Sequence, residues 1–343
     1  MTGSAGPEQW SLLPEAHEPP EQRGLARDEV RLLLSAPGRT AHRRFTALPE
    51  LLGPGDLLVV NRSSTVPASL AADSPWGPIT VNVSTHYGRG LWLVEPRRSP
   101  AVPGPLPFIP GDALRLAGLA ARVVAAYPGI PRLHFVRCEG DLERRMEEVG
   151  RPVEYGHLSG HFPLAAYQTI FASVHGSAEM PSAGRPFSWR VVRALEGRGV
   201  RLQAITLHTG VSSVETGDIE SGYLPVFPEP FEVTTEVAES INETRAHGGR
   251  VIAVGTSVVR ALESAWDGVR VRGAAGFTRA YVDPAHPPRA VDGVLSGFHN
   301  GRSTHIALLQ GFLGRVRLAE AYEAARAGGY LRHEFGDCHL MLN

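Results

Sequence analysis

The stretch 248-GGRVIAVGTSVVRALE-263 decides the fold. Val251, Ile252, Ala253 and Val254 form a short apolar run bounded by glycines, which suits a strand covered on both faces in a parallel sheet. Gly255 closes the strand. Thr256 and Ser257 are placed to cap a following helix whose apolar face is Val258, Val259, Leu262 and Ala265. Arg260 then falls in the first turn, where the helix dipole already concentrates positive charge. A cation there suits a site that also takes a carboxylate or phosphate. It suits equally an arginine stem that covers apolar surface or pairs with Glu263.

Working outward, the same strand-then-helix alternation recurs after Tyr155. Ser188 to Glu196 reads as a helix, Arg201 to His208 as a strand, and Thr234 to His247 as a helix stopped by Gly248-Gly249. Phe277 to Val282 reads as a further strand, with helices over Ser303 to Phe312 and Leu318 to Ala327. Before Pro67 the strands are Glu29 to Ser35, His42 to Phe45 and Leu57 to Val60, the last ending at Asn61. Between Ala68 and Val153 the pattern changes to short alternating strands punctuated by Pro and Gly, with a single helix over Asp141 to Val149. The expected fold class is therefore α/β: a barrel-like main domain formed by residues 1–67 and 154–343, with a small antiparallel β-barrel, 68–153, inserted into it. Met1 to Arg27 reads as a loosely held arm, and Pro96 to Pro110 as a surface connection. Parallel sheets bind ligands at the carboxyl ends of their strands, so the loops after His208, Gly255 and Leu295 are the expected site.

Composition narrows the function. Of 343 residues, 34 are basic and 35 acidic, for a net charge of −1, so no global positive field announces nucleic-acid binding. Arginine supplies the positive charge, which favours bidentate anion contacts. Cys138 and Cys338 stand far apart and indicate neither a disulfide framework nor a zinc site. No run is long enough for a membrane span and no signal peptide is apparent, so a cytoplasmic protein is expected.

Three loops carry candidate chemistry. Pro181 to Ser188, which includes Ser182, Gly184 and Arg185, is rich in small residues whose N–H groups suit an anion or a close ligand, or simply a turn. His208 ends a strand just before Thr209-Gly210, a position for a general acid or base as well as for a structural histidine. The segment from Asp292 to His305 is the densest polar cluster: His299, Ser303, Thr304 and His305 immediately precede or open a helix. Near the end of the chain, Asp337 offers a carboxylate after a tight turn. His208, His299, His305 and Asp337 have no metal-ligand spacing, so no metal is expected. Neither a P-loop nor GxGxxG is present, so neither a nucleoside triphosphate nor a Rossmann cofactor is expected.

Taken together these motifs resemble the S-adenosylmethionine:tRNA ribosyltransferase-isomerase family of the queuosine pathway. The resemblance runs through Arg27 to Leu33, His42 to Phe45, Pro54 to Asn61, Tyr167-Gln168-Thr169, Pro181 to Ser188, Thr206 to Gly210, Val251 to Glu263, Val291 to Thr304 and Gly336-Asp337. It implies an α/β domain with an inserted β-barrel. It implies that S-adenosylmethionine is a substrate, with no other cofactor, and that its ribosyl part passes to a 7-deazaguanine base of tRNA, with isomerisation and release of adenine and methionine. By position, His299, His208 and Asp337 become the candidate catalytic residues. Arg260, Thr256, Ser257, Ser182, Gly184, Arg185, Ser303 and Thr304 become candidate substrate contacts. Departures lie at Arg185-Pro186-Phe187, where the family has Leu-His-Phe; at Ser221 to Val226, where a His-x-Met-His-like motif is missing; and in Ser296-Gly297-Phe298-His299-Asn300-Gly301-Arg302. They suggest a diverged paralogue. Such a protein keeps S-adenosylmethionine with tRNA or a small nucleoside-like acceptor, or binds a nucleoside or RNA without chemistry. Arg43-Arg44, Arg97-Arg98 and Arg144-Arg145 are candidate tRNA phosphate contacts or plain solvated surface.

Overall fold

A computed structural model describes residues 13–211, 226–301 and 303–342. The larger sheet has nine strands. Its centre consists of four parallel strands in the order Arg201–Leu207, Leu57–Asn61, Val251–Val254 and Gly293–Gly297. Alternation accounts for their apolar runs. Leu57, Val59, Val251 and Ala253 belong to one core cluster, while Leu58, Val60, Ile252 and Val254 belong to the cluster on the opposite face. A strand covered on both faces favours apolar residues on each, and a polar one there needs a buried partner.

Outside these four, Glu229–Val233 and Ala274–Thr278 extend one end of the sheet, and Cys338–Leu342, Arg31–Ala36 and Arg39–Arg44 the other. The sheet of the main domain therefore keeps two edge strands, Ala274–Thr278 and Arg39–Arg44. The second sheet is a closed six-stranded antiparallel barrel made from strands between Ser69 and Cys138. Val81, Val83, Val94, Leu116 and Val136 fill it. The connection after Pro96 is less superficial than expected, since Leu106 and Phe108 are buried in the barrel core.

Several expectations shift. The N-terminal arm is held from Leu13 onward: Leu13 and Ala16 are buried, and Glu15 pairs with Arg332. Helix Thr256–Ser264 is preceded by Gly255 with φ 98°, and no side chain caps it; Thr256 and Ser257 are its first two residues. The two C-terminal helices run together as Thr304–Ala327, but the backbone leaves the helical region at Gly314 (φ 71°, ψ 164°), between the two predicted segments. The strand expected at Phe277–Val282 lies earlier, at Ala274–Thr278, on the sheet edge, where it pairs with Glu229–Val233.

The strand Cys338–Leu342 has no counterpart in the sequence-based expectations. It is wholly buried between Gly293–Gly297 and Arg31–Ala36. His339 breaks its apolar run, and that imidazole is fully buried, with Nε2 2.8 Å from Ser35 Oγ and the ring stacked on Phe298. Among the described residues no helix is long and apolar enough to cross a membrane.

Burial pushes the His339 pKa down to about 3. The unfolded chain takes up that proton near the ordinary value of about 6.5. The stabilisation is therefore complete above that pH and is lost as pH falls toward 3, by up to about 1.4 kcal/mol per pH unit. Urea unfolding of the wild type and of His339→Leu between pH 4 and 7 should show a shallower fall for the variant. Equal slopes would clear this imidazole of the effect.

Candidate active site

The principal cleft lies where the four parallel strands end. Thr65 follows Leu57–Asn61, Thr209 follows Arg201–Leu207, Gly255 to Ser257 follow Val251–Val254, and Phe298 to Asn300 follow Gly293–Gly297; all line a cavity of about 200 Å³. Asn61 fixes this arrangement. Its carboxamide donates to Leu207 O at 2.8 Å and accepts from Leu207 N and Ser63 N at 3.1 and 3.0 Å, closing two strand ends with one side chain. Its Nδ2 also lies 3.4 Å from Ser257 Oγ. Tyr167 and Gln168 brace the opposite wall. Gln168 exchanges two hydrogen bonds with the backbone of Thr65, at 2.7 and 3.0 Å, and Thr65 Oγ1 donates to Tyr167 O.

His299 sits at the centre of the polar wall. Its Nε2 is 2.9 Å from Ser296 Oγ, its backbone N–H donates to the Tyr322 hydroxyl, and its ring stacks on His305 at 4.3 Å. Burial first, then the neighbouring His305 and His333, holds its pKa well below the usual histidine value. His305 is likewise pushed down to about 4, by burial and then by Arg260. Both imidazoles are therefore neutral at physiological pH, so a basic lone pair is available on each. Ser303 precedes the helix Thr304–Ala327 and lines the same cleft. Its hydroxyl is buried without a hydrogen-bond partner among the described residues and caps nothing within the helix.

The structure gathers some of the predicted residues and separates others. His299, Thr256, Ser257, Ser182 and Ser303 line the cleft. Gly184 lies behind it, where an added Cβ would press on Thr169 and Phe171. Arg185 is buried, donates to Ala166 O and Glu21, and lies over the Phe335 ring, so it ties the N-terminal segment down. Asp337 accepts the backbone N–H of Arg31 with one oxygen and that of Leu331 with the other; it joins the chain end to the strand Arg31–Ala36 and does not line the cleft.

His208 belongs to a second cavity, with His86, Trp92 and Glu143 around it. There its Nδ1 lies 2.7 Å from Ser63 Oγ, and burial lowers its pKa. Arg260 is not in the first turn of its helix. It ion-pairs with the buried Glu229, not Glu263, and donates to Ala280 O. With Thr304 it lines a smaller cavity of about 40 Å³. Of the basic pairs, Arg97 is buried against Glu95, and Arg144 and Arg145 both pair with Glu148. Arg43 and Arg44 stay exposed. Residues 221–225 of the missing histidine motif, and Arg302, lie outside the described residues.

Residues 12–341 match a family described as queuosine biosynthesis protein. The chain belongs to that family. An S-adenosylmethionine:tRNA ribosyltransferase-isomerase of Thermus thermophilus is 40% identical over 341 residues, which span 95% of this chain and 97% of the relative. Its counterpart in Anaeromyxobacter dehalogenans (strain 2CP-C) is 37% identical over 329 residues, covering 92% and 93%. A crystal structure of S-adenosylmethionine tRNA ribosyltransferase from Thermotoga maritima aligns with a TM-score of 0.53 at 26% identity, over 99% of both chains. The family resemblance drawn from the motifs is thus established, and with it the α/β architecture carrying an inserted β-barrel.

In this family member the Arg260–Glu229 pair is buried, so removing one partner strands the other. Glu229 also accepts the Gly210 N–H. Glu229→Gln is expected to cost about 3–5 kcal/mol. In a double-mutant cycle read by urea unfolding, adding Arg260→Met should recover part of that loss. Strict additivity would mean that the two side chains do not depend on each other.

Proposed function

We propose that this chain transfers the ribosyl part of S-adenosylmethionine to a 7-deazaguanine base of tRNA and isomerises it, releasing adenine and methionine, with His299 as the base. The single observation that carries the reading is the placement of His299 in the cleft with its ring held by Ser296, where burial favours the neutral imidazole. The sulfonium of S-adenosylmethionine acidifies the adjacent C5′ hydrogens, and a neutral imidazole is suited to accept one of them. When Nε2–H donates to Ser296 Oγ, the lone pair resides on Nδ1.

Ser303 supports the substrate side of this reading. A buried hydroxyl with no partner among the described residues is costly until a ligand supplies one, and the free N–H groups of the helix start favour an anion such as the methionine carboxylate. Thr256, Ser257 and Ser182 offer further hydrogen bonds from the same walls. Arg260 has less to offer an anion, since Glu229 already neutralises it. His208 and Asp337 take no catalytic part here, because neither lines this cleft. Relatives named for tRNA give no support to the small nucleoside-like acceptor.

The test is mass spectrometry of the protein with S-adenosylmethionine and tRNA carrying an aminomethyl-deazaguanine base, following adenine, methionine and tRNA mass. Coupled adenine release and tRNA mass gain are expected. His299→Asn should lower kcat/KM by roughly a hundredfold or more, and Ser296→Ala by about tenfold. Because His299 acts unprotonated and its pKa is depressed, kcat/KM should stay level through pH 7 and fall only well below the ordinary histidine range. A loss of less than tenfold in His299→Asn would rule out an essential base there.

A further inference from the structure

At the rim of the cleft three potential metal ligands converge from distant parts of the chain. One ligand atom from each of His157, His333 and Glu334 lies within 4.8 Å of the others. We propose that these three side chains bind a divalent transition-metal ion.

Four observations carry this. The His157 and His333 rings stack at 4.3 Å, so two imidazoles are already brought together. His157 Nε2 is buried and lies 3.4 Å from a Glu334 oxygen, its partner among the described residues at a separation too long for a well-formed hydrogen bond. His333 and Glu334 line the cleft, so the ion has an open side toward substrate. Glu15 lies 3.2 Å from His333 Nε2 and is itself held by Arg332 at 2.8 Å; a carboxylate in that place orients a ligating imidazole.

The donor set selects the ion. Two imidazoles and one carboxylate suit zinc, cobalt, nickel or iron(II) and disfavour magnesium and calcium, which prefer all-oxygen sites. Bonds near 2 Å to a tetrahedral ion place the ligand atoms roughly 3.3 Å apart, so side-chain movement of about 1 Å closes the site. Three protein ligands leave a position for water or a substrate oxygen, the pattern of a catalytic rather than a structural site. The local charge also permits an ion: Glu334 and Glu15 outweigh Arg332. These are not the residues considered from the sequence, His208, His299, His305 and Asp337. Of those, His208 lines another cavity and Asp337 spends both oxygens on backbone N–H groups.

The experiment uses the full chain, stripped of metal with a chelator. Zn²⁺ is titrated calorimetrically and Co²⁺ by visible absorption. One equivalent of Zn²⁺ should bind with a Kd of about ten micromolar or tighter, and Co²⁺ should give the absorption of a mixed nitrogen and oxygen site. His333→Ala and Glu334→Gln should each weaken binding by roughly tenfold or more, with folding checked by circular dichroism. His86→Ala, which removes an imidazole beside Glu143 in the other cavity, should leave binding unchanged. Absence of stoichiometric binding in the wild type, or undiminished binding in whichever ligand variant folds, overturns the proposal. These readouts do not involve turnover, so they stand apart from the fate of the ribosyl-transfer reading.

Discussion

The structure depends on how the strand Leu57–Asn61 is held at its two ends. A fully buried parallel strand offers its neighbours backbone groups that have no access to water, and those beyond the ladder must be satisfied by side chains. At the amino end Asp56 accepts from Gly53 N, Arg250 N and the Arg250 guanidinium. Burial would raise the Asp56 pKa, but the Arg250 contacts and the backbone N–H groups carry it below the ordinary value. At the carboxyl end Asn61 closes Leu207 and Ser63. Between these two polar groups the register of three adjacent parallel strands is fixed. Their carboxyl ends, and thus the walls of the cleft, follow from it.

Burial also sets the chemistry of the cleft. His299 and His305 stack on each other in a site that desolvates both, so neither holds a proton at neutral pH. The same force acts on His339, where it gives no function and only makes the chain end sensitive to acid. Context separates the two cases. His299 lines a cavity and is held by a serine that lines it too, whereas His339 is fully buried between Ser35 and Phe298.

Much of the fold was legible in the sequence because a buried parallel strand must be apolar on both faces, as Val251 to Val254 are. The barrel was legible through period-two runs such as Ile79, Val81 and Val83. Cys338–Leu342 was hidden because a neutral core histidine looks polar in a sequence. In the site, the loops after the parallel strands could be placed, and His299, Ser303, Thr256 and Ser257 with them. What a side chain does there could not be placed, because partners come from far away. Arg260 meets Glu229, Asp337 meets the backbone of Arg31 and Leu331, and Arg185 meets Glu21. Asn61 left a readable trace, a lone carboxamide at the end of an apolar run, yet its role needed the neighbouring strand.

The departures from the family pattern therefore do not all bear on the site. Arg185 is one of the departures that the resemblance marks in the small-residue loop; its guanidinium is buried against Glu21 and Phe335, and Phe187, two residues on, packs on Phe45 and Phe171. A change there alters how the N-terminal segment is fastened beneath the cleft, not which groups face it. Ser296, His299 and Ser303 lie in the other altered loop and line the cavity, together with Ser182 from the start of the first. The segment that Arg185 fastens through Glu21 also carries Glu15, the carboxylate beside His333. The small-residue loop and the cleft rim are thus linked through one short N-terminal segment.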